Sequence, residues 1–453
     1  MSGITGRHSV EGAADELNVA GNIREKTMTT LNRRAVSAGL GASLAALTTG
    51  RAAAQAAGLS FMSFSFAEEA NKALVQKLLD DFAAESGVPA QPIGSAWGEV
   101  QRNLMLRQRS KTLPNSAQIS ERWLPSFASL PELVDLNDIV GKDKLEAAID
   151  VNVLNVGRLN GKQLALPLAT GSIGMVANRE VLKKAGVDKL PETTAELRAA
   201  LIAVRDKVPN SVPLTMATKN PNSIPLDVLI WVWSHGGRLI DESGKVVCDS
   251  AETTAAFDFM TGLMKDRLIA PEIDRPDSRR LFAQGASAFY VDAPQARTFI
   301  RTFSGRGQEA DAMIAPMKTP VAKNGIEPVS MAWGNLVLFF KTGDAARDAV
   351  LPKWANYLFS DKVQTTFPLA LSALPVTRSG RAAPAVANDP YFAEWGKATG
   401  VVRMHELGVW SNAPELSTIV SEETQAALLG QKTVAAAIQA MKPRLEASMA
   451  KRS

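Results

Sequence analysis

An unbroken apolar stretch, LSFMSF at 59–64, is followed by apolar residues at helical spacing. Leu74, Leu78 and Phe82 recur at i, i+4 and i+8, with Val75 and Leu79 beside them, and Gly87 supplies a stop. A strand, a helix and a second short strand in VPAQPIG predict a βαβ unit with parallel pairing. The pattern then repeats. KQLALPL and GSIGMVAN read as two strands, and Asn178 caps a short helix from Arg179 to Ala185 that Gly186 closes. Thr193-Thr194-Ala195-Glu196 is a capping box ahead of the stripe Leu197, Leu201 and Val204. A helix from Ser250 buries Phe257, Met260, Leu263 and Met264. ASAFYV at 286–291 is a strand that leads into Pro294, a favoured first helical residue. NLVLFF at 335–340 is apolar throughout, as in a strand covered on both faces.

Asp344 caps a helix carrying Val350, Trp354 and Leu358, where Pro352 predicts a kink or a late start and Trp354 falls on the core side. Residues 414–453 read as two helices split at Gly430. The expected class is α/β with mainly parallel sheets. The length suits about two domains, and no long linker separates them. The chain is therefore expected to cross between domains several times.

The first residues depart from this pattern. Ala35 to Thr49 carries no charge, follows Arg33-Arg34 and precedes the small-residue end Ala54-Gln55-Ala56. It is too short and too weakly apolar to span a bilayer. It is expected to be a twin-arginine export signal over 28–56, starting at Met28 and cut near Ala57. Residues 1–27 are then an over-called start or a disordered extension. Six Lys/Arg and four Asp/Glu lie in residues 1–56, so the formal charge of +4 shrinks further in the remainder. No basic stripe calls for nucleic acid. The one cysteine, Cys248, rules out an intrachain disulfide and leaves no site for lipid attachment after the signal. These features fit an unanchored protein of a bacterial periplasm.

Signatures of catalysis are missing. His235 and His405, the only histidines beyond residue 56, stand 170 residues apart with no nearby cysteine or paired carboxylate at ligand spacing. No nucleotide fingerprint, phosphate-binding loop or G-x-S-x-G elbow follows a strand. The expectation is no enzyme, no metal and no cofactor.

Four phrases in order resemble one family, the extracellular solute-binding proteins, family 1, of ABC transporters. They are IGMVANREVLKKAGVDKLPETTAELRAAL, WSHGGRLIDESGKVVCDSAETTAAFDFMTGL, LFAQGASAFYVDAP, and WGNLVLFFKTGDAARDAVLPKWANYLFSDKVQTTFPLALSALPVTRS. The chain departs from the family at LPNSAQI, where Pro-Asp-Val is common, and at Ala177, where Tyr is common. The resemblance implies the two-lobed periplasmic-binding-protein fold (type II), of the carbohydrate-binding, maltose-binding-protein-like kind. It puts residues 57–166 and 334–374 in one lobe and 167–333 and 375–453 in the other. Crossovers are then expected near Leu166–Leu168, Pro328–Gly334 and Leu374-Pro375. The implied partners are a small ligand and the permease subunits of an importer, with the protein a monomer.

Ligands of open α/β sheets lie beyond strand C-terminal ends. That rule nominates Ser65, Phe66, Ser95, Trp97, Glu121 and Trp123 in the first lobe. Thr170, Gly171 and Ser172 follow a crossover strand, Asp292 ends another strand as a contact or a cap, and Trp333 and Gly334 stand at the second crossover. Trp231, Trp410 and Arg378 complete the candidates; Trp233 shares a helix with Trp231 but not its face, and Trp231 is preferred. His235 beside Gly236-Gly237 reads as a turn residue. Eight tryptophans against three tyrosines suit a sugar or oligosaccharide, whose C–H face an indole covers. A polyol, polyamine or glycerol phosphate on the same fold is the second reading, and an exported glycan-acting enzyme the third.

Overall fold

The structure is a computed structural model and describes residues 58–451. The expected extension and signal, residues 1–27 and 28–56, lie outside the described residues.

Strand β1 (Leu59–Ser63) is buried along its whole length and pairs in parallel with β2 (Ala90–Gly94) and β3 (Ser116–Ser120). The helix Glu69–Ser86 connects β1 to β2 and ends at Gly87, whose φ of 70° is the left-handed conformation that glycine adopts without strain. A hairpin of β4 (Arg158–Leu159) and β5 (Lys162–Gln163) precedes β6 (Ala165–Asn178). Further along the chain come β7 (Leu214–Thr215), β8 (Phe289–Asp292), β9 (Ile314–Met317), the long β10 (Val329–Phe339) and β11 (Val401–Arg403).

Two expectations need correction. KQLALPL and GSIGMVAN are not separate strands, because β6 runs unbroken through both from Ala165 onward. It stays extended because β10 pairs antiparallel with it from Ala165 to Ile173, across the point where the two lobes meet. The sheet is also mixed rather than mainly parallel. β6 and β10 run back against their neighbours, β10 antiparallel to β3 and β6 antiparallel to β8 and β9. Three passages of the chain lie side by side at this junction. Thr170 pairs with Gly334 on one side and exchanges two 3.0 Å backbone hydrogen bonds with Leu374 on the other.

Local chemistry sets the helix ends as the pattern indicates. Thr193 and Glu196 cap the helix Thr194–Lys207 reciprocally. Pro352 sits in the first turn of Leu351–Leu358, a late start rather than a kink, after a short helix capped by Asp344. The last two helices, Ala413–Leu428 and Val434–Ala450, are parted at Gly430, φ 70°. In the first lobe Trp354 packs edge-on against Phe61 and Phe82, with ring centroids 5.4 and 5.0 Å away. In the second lobe every residue of the helix Ile224–Ser234 is buried. None of the helices among the described residues is long and apolar enough to cross a membrane.

Candidate functional site

The two lobes face one another across a cavity of about 310 Å³. From the first lobe come Glu68, the turn Ala96–Glu99 and Arg122; from the second come Asn220, Ser223, Arg275, Arg279, Asp292 and Gln295. Ile173 and Trp333, on the two crossing strands, form part of the wall. The lobes also touch directly. Asn222 Nδ2 donates to the Gly98 carbonyl at 2.7 Å, and Arg279 Nη1 reaches Glu68 Oε1 at 3.3 Å.

The turns after the strands aim these groups. A 3₁₀ turn, Glu121–Trp123, follows β3 and presents Arg122 to the cavity beneath the indole of Trp97, 4.9 Å from the ring centre. The helix Arg275–Ala283 begins with a capping box between Asp274 and Asp277, and its first two turns carry Arg275 and Arg279 on one face. Arg279 holds Asp292 through Nε and Nη2 at 2.8 and 3.1 Å and stacks 3.6 Å over Phe299. Arg275 Nη2 donates to Asp227 Oδ1 at 2.6 Å, and its Nη1 donates to the Val291 carbonyl.

Burial of these charges shows in their ionisation. Burial raises the carboxyls of Glu68 and Asp227, against the lowering pull of Arg279 and Arg275 respectively. Burial works against the charge of Arg279, but Asp292 and then Glu68 outweigh it, so its pKa stands above the ordinary value. Arg122 is shifted the other way: burial lowers it, Glu121 only partly compensates, and Arg275 adds repulsion. Close by, burial and then Arg122 push His405 well below its usual pKa, and its Nδ1 accepts from the Gly408 amide at 3.0 Å.

His405 gives a signed pH effect. Its folded pKa lies below the unfolded value of about 6.5, so the unfolded chain takes up a proton first as pH falls. Stability is therefore lost as pH falls below ~6.5 toward the depressed folded pKa. The raised carboxyls act with the opposite sign, so the measurement is a difference. Urea unfolding of wild type and His405→Asn across this range is expected to show that extra loss in the wild type. Parallel pH profiles would contradict it.

The nominated residues divide into several groups. Trp97, Asp292 and Trp333 line the cavity. Asp292 does not cap the next helix, since Gln295 occupies that position; its Oδ1 accepts from the Ala293 amide instead. Ser65, Ser95 and Glu121 are buried and do not line the cavity; they are held by Gln118, Asn103 and the Gly334 amide respectively. Phe66 packs on the core under Lys72, and Trp123 lies in the first lobe's core 4.9 Å from Trp97.

The other nominated residues lie away from this cavity. Thr170, Gly171 and Ser172 line a different cavity, of about 340 Å³, beside Phe392 and Trp395. Ser172 Oγ accepts there from Trp395 Nε1 at 3.2 Å. Trp231 is fully buried against Phe259, because its helix is enclosed on all sides, and Trp233 turns inward to donate to Glu406 at 2.6 Å. His235 ends that helix, its Nδ1 2.8 Å from the Trp231 carbonyl. Arg378 donates on the surface to the Glu146 and Ala147 carbonyls. Trp410 packs against the core, away from the cavity lining.

Glu68, Arg122, Arg275, Arg279 and Gln295 escaped the sequence reading. The one available signal was the pair Arg275 and Arg279, four apart after a Pro-containing helix start. No cluster of His, Cys, Asp or Glu suited to a metal occurs among the described residues.

Comparison with known proteins agrees with this architecture. The GacH receptor of Streptomyces glaucescens, solved unliganded and with acarbose, superposes with a TM-score of 0.75 at 21% identity, covering 87% of this chain and 99% of that one. An ABC transporter solute-binding protein of Thermotoga lettingae, bound with α-D-tagatose, superposes at 0.77 with 19% identity, covering 86% and 99%. Among curated sequences, a putative binding protein of Brucella abortus is 21% identical over 259 residues, which is 52% of this chain and 62% of that protein. The family model described as bacterial extracellular solute-binding protein matches residues 77–394, well over half of the chain. The chain therefore belongs to the bacterial extracellular solute-binding proteins.

Proposed function

We propose that the protein is the periplasmic receptor of an ABC importer and holds a sugar or oligosaccharide between its lobes. The observation that carries this reading is the inter-lobe cavity, with the indoles of Trp97 and Trp333 beside buried charged groups. An indole covers the C–H face of a pyranose, and removing roughly 60 Å² from water contributes about 1.5 kcal/mol. Polar groups around it fix orientation. The related structures solved with acarbose and with tagatose support a carbohydrate as ligand.

The hinge runs through the three adjacent passages at Thr170, Gly334 and Leu374. The lobes are then residues 57–166 with 334–374, and 167–333 with 375–453. A ligand that touches both lobes draws them together; a shift from 1:99 to 99:1 needs about 5.5 kcal/mol of differential affinity. The permease reads the closed surfaces, the monomer suffices, and no bond in the ligand changes.

Thermal-shift screening against sugars, polyols and amines, followed by product analysis, tests the reading. A stabilising sugar recovered intact is the expected result, and a cleaved one would establish an enzyme instead. Trp97→Ala should weaken the sugar about tenfold, roughly 1.4 kcal/mol. Unchanged affinity would remove the Trp97 indole from the ligand's contacts.

A further inference from the structure

Hydrogen-bond donors and acceptors in the cavity are unequal. Glu68 and Asp292 already accept from the protein at both oxygens, while the half-exposed Glu99 accepts from Arg102 at Oε2 alone. Both Asp292 oxygens take Arg279, and Oδ1 also takes the Ala293 amide. Glu68 takes Asn71 at 2.8 Å and Arg279 at 3.3 Å. Behind them Asp227 takes Arg275 and the Ala217 amide, both at 2.6 Å.

The arginines are less fully engaged. Besides its stacking on Trp97 and Trp123, Arg122 has one hydrogen-bond partner, a 3.4 Å approach of Nη1 to Glu121, although its side chain is only 6% exposed. Among the described residues no acceptor meets its Nε or Nη2, nor Arg275 Nε, and both side chains line the cavity. The side-chain amide of Gln295, also buried and lining the cavity, has no partner among the described residues either. The free donors of Arg122 and Arg275 open onto the cavity, so a solute that displaces water there without replacing it leaves them unpaired, and two guanidiniums facing one space repel. An oxyanion between them removes both costs, since a guanidinium fork matches a carboxylate or phosphate.

We infer that the solute is an acidic saccharide, a small sugar whose carboxylate or phosphate oxygens lie between Arg122 and Arg275. This rests on the cavity being the solute site. The sugar ring lies against Trp97 and Trp333, and Gln295 donates to a ring hydroxyl. Burial first, and then the repulsion of Arg275, lower the pKa of Arg122 in spite of Glu121.

Isothermal titration of the protein with D-glucuronate, D-galacturonate, glucose 6-phosphate, D-glucose and neutral D-glucuronamide tests this. At least one acidic sugar is expected to bind about 30-fold or more tightly than glucose and glucuronamide. Preference for a uronate over the sugar phosphate would mark a carboxylate, and the reverse a phosphate. Arg122→Gln should abolish the preference, and Arg122→Lys should keep part of it; circular dichroism of each variant checks the fold. Glucose or glucuronamide binding as tightly as the acids would overturn the inference and leave the sugar receptor standing. Binding of no probe would count against both.

Discussion

Replacing Arg279 by Met is expected to lower the unfolding free energy by about 3–5 kcal/mol, read by urea denaturation. The guanidinium joins both lobes: Nε and Nη2 hold Asp292, and Nη1 reaches Glu68. Its side chain is 8% exposed and that of Asp292 is 5% exposed, so neither is well hydrated. Without the cation, two carboxylates remain in a site where burial already opposes the charge of Glu68. Asp292 keeps one amide hydrogen bond, from Ala293, which is a partial substitute. The double variant Arg279→Met, Asp292→Leu should recover much of the loss, because it removes the stranded charge as well. A loss under about 1 kcal/mol would place the pair with ordinary surface ion pairs and contradict its burial.

The second large effect concerns closure. Gly98 accepts from Asn222 across the cleft, and a Cβ on it would meet Asn220 Nδ2 at 2.6 Å. The obstacle is the end of a side chain, so Gly98→Ala is accommodated when the amide swings aside. Gly98→Trp leaves no such escape, and the lobes must stay apart. Ligand affinity is expected to fall by about a hundredfold, roughly 2.7 kcal/mol, while Ala stays within a few-fold of wild type. The unliganded Trp variant should unfold like wild type, since the residue faces the cleft rather than a core. Equal affinities for all three proteins would show that Gly98 and Asn220 do not meet in the liganded form.

Much of the scaffold was legible because its signals are local. The Thr193 capping box, the stop at Gly87, the late start at Pro352 and the break at Gly430 each depend on neighbours in sequence. β6 was misread as two strands because the polar Thr170-Gly171 pair resembles a turn; its continuity comes from β10, more than 150 residues away. The site was less legible for the same reason. Trp97, Asp292 and Trp333 announce themselves by type and by position after or within strands. Trp231 is of the same type, but its helix is enclosed by packing that the sequence does not reveal. Arg122 lies between two nominated neighbours, and only the 3₁₀ turn decides which of the three faces the cavity. Arg275 and Arg279 look like surface charges on a short helix until Asp227, Asp292 and Glu68 are brought to them from 48, 13 and 211 residues away.

Uptake by this protein requires two lobes that approach each other around an intact small molecule. Small-angle X-ray scattering during titration with the saccharide that raises the melting temperature most measures this directly. The radius of gyration is expected to fall with saturation and to return when the sugar is dialysed away. A radius that stays constant at full occupancy would contradict it.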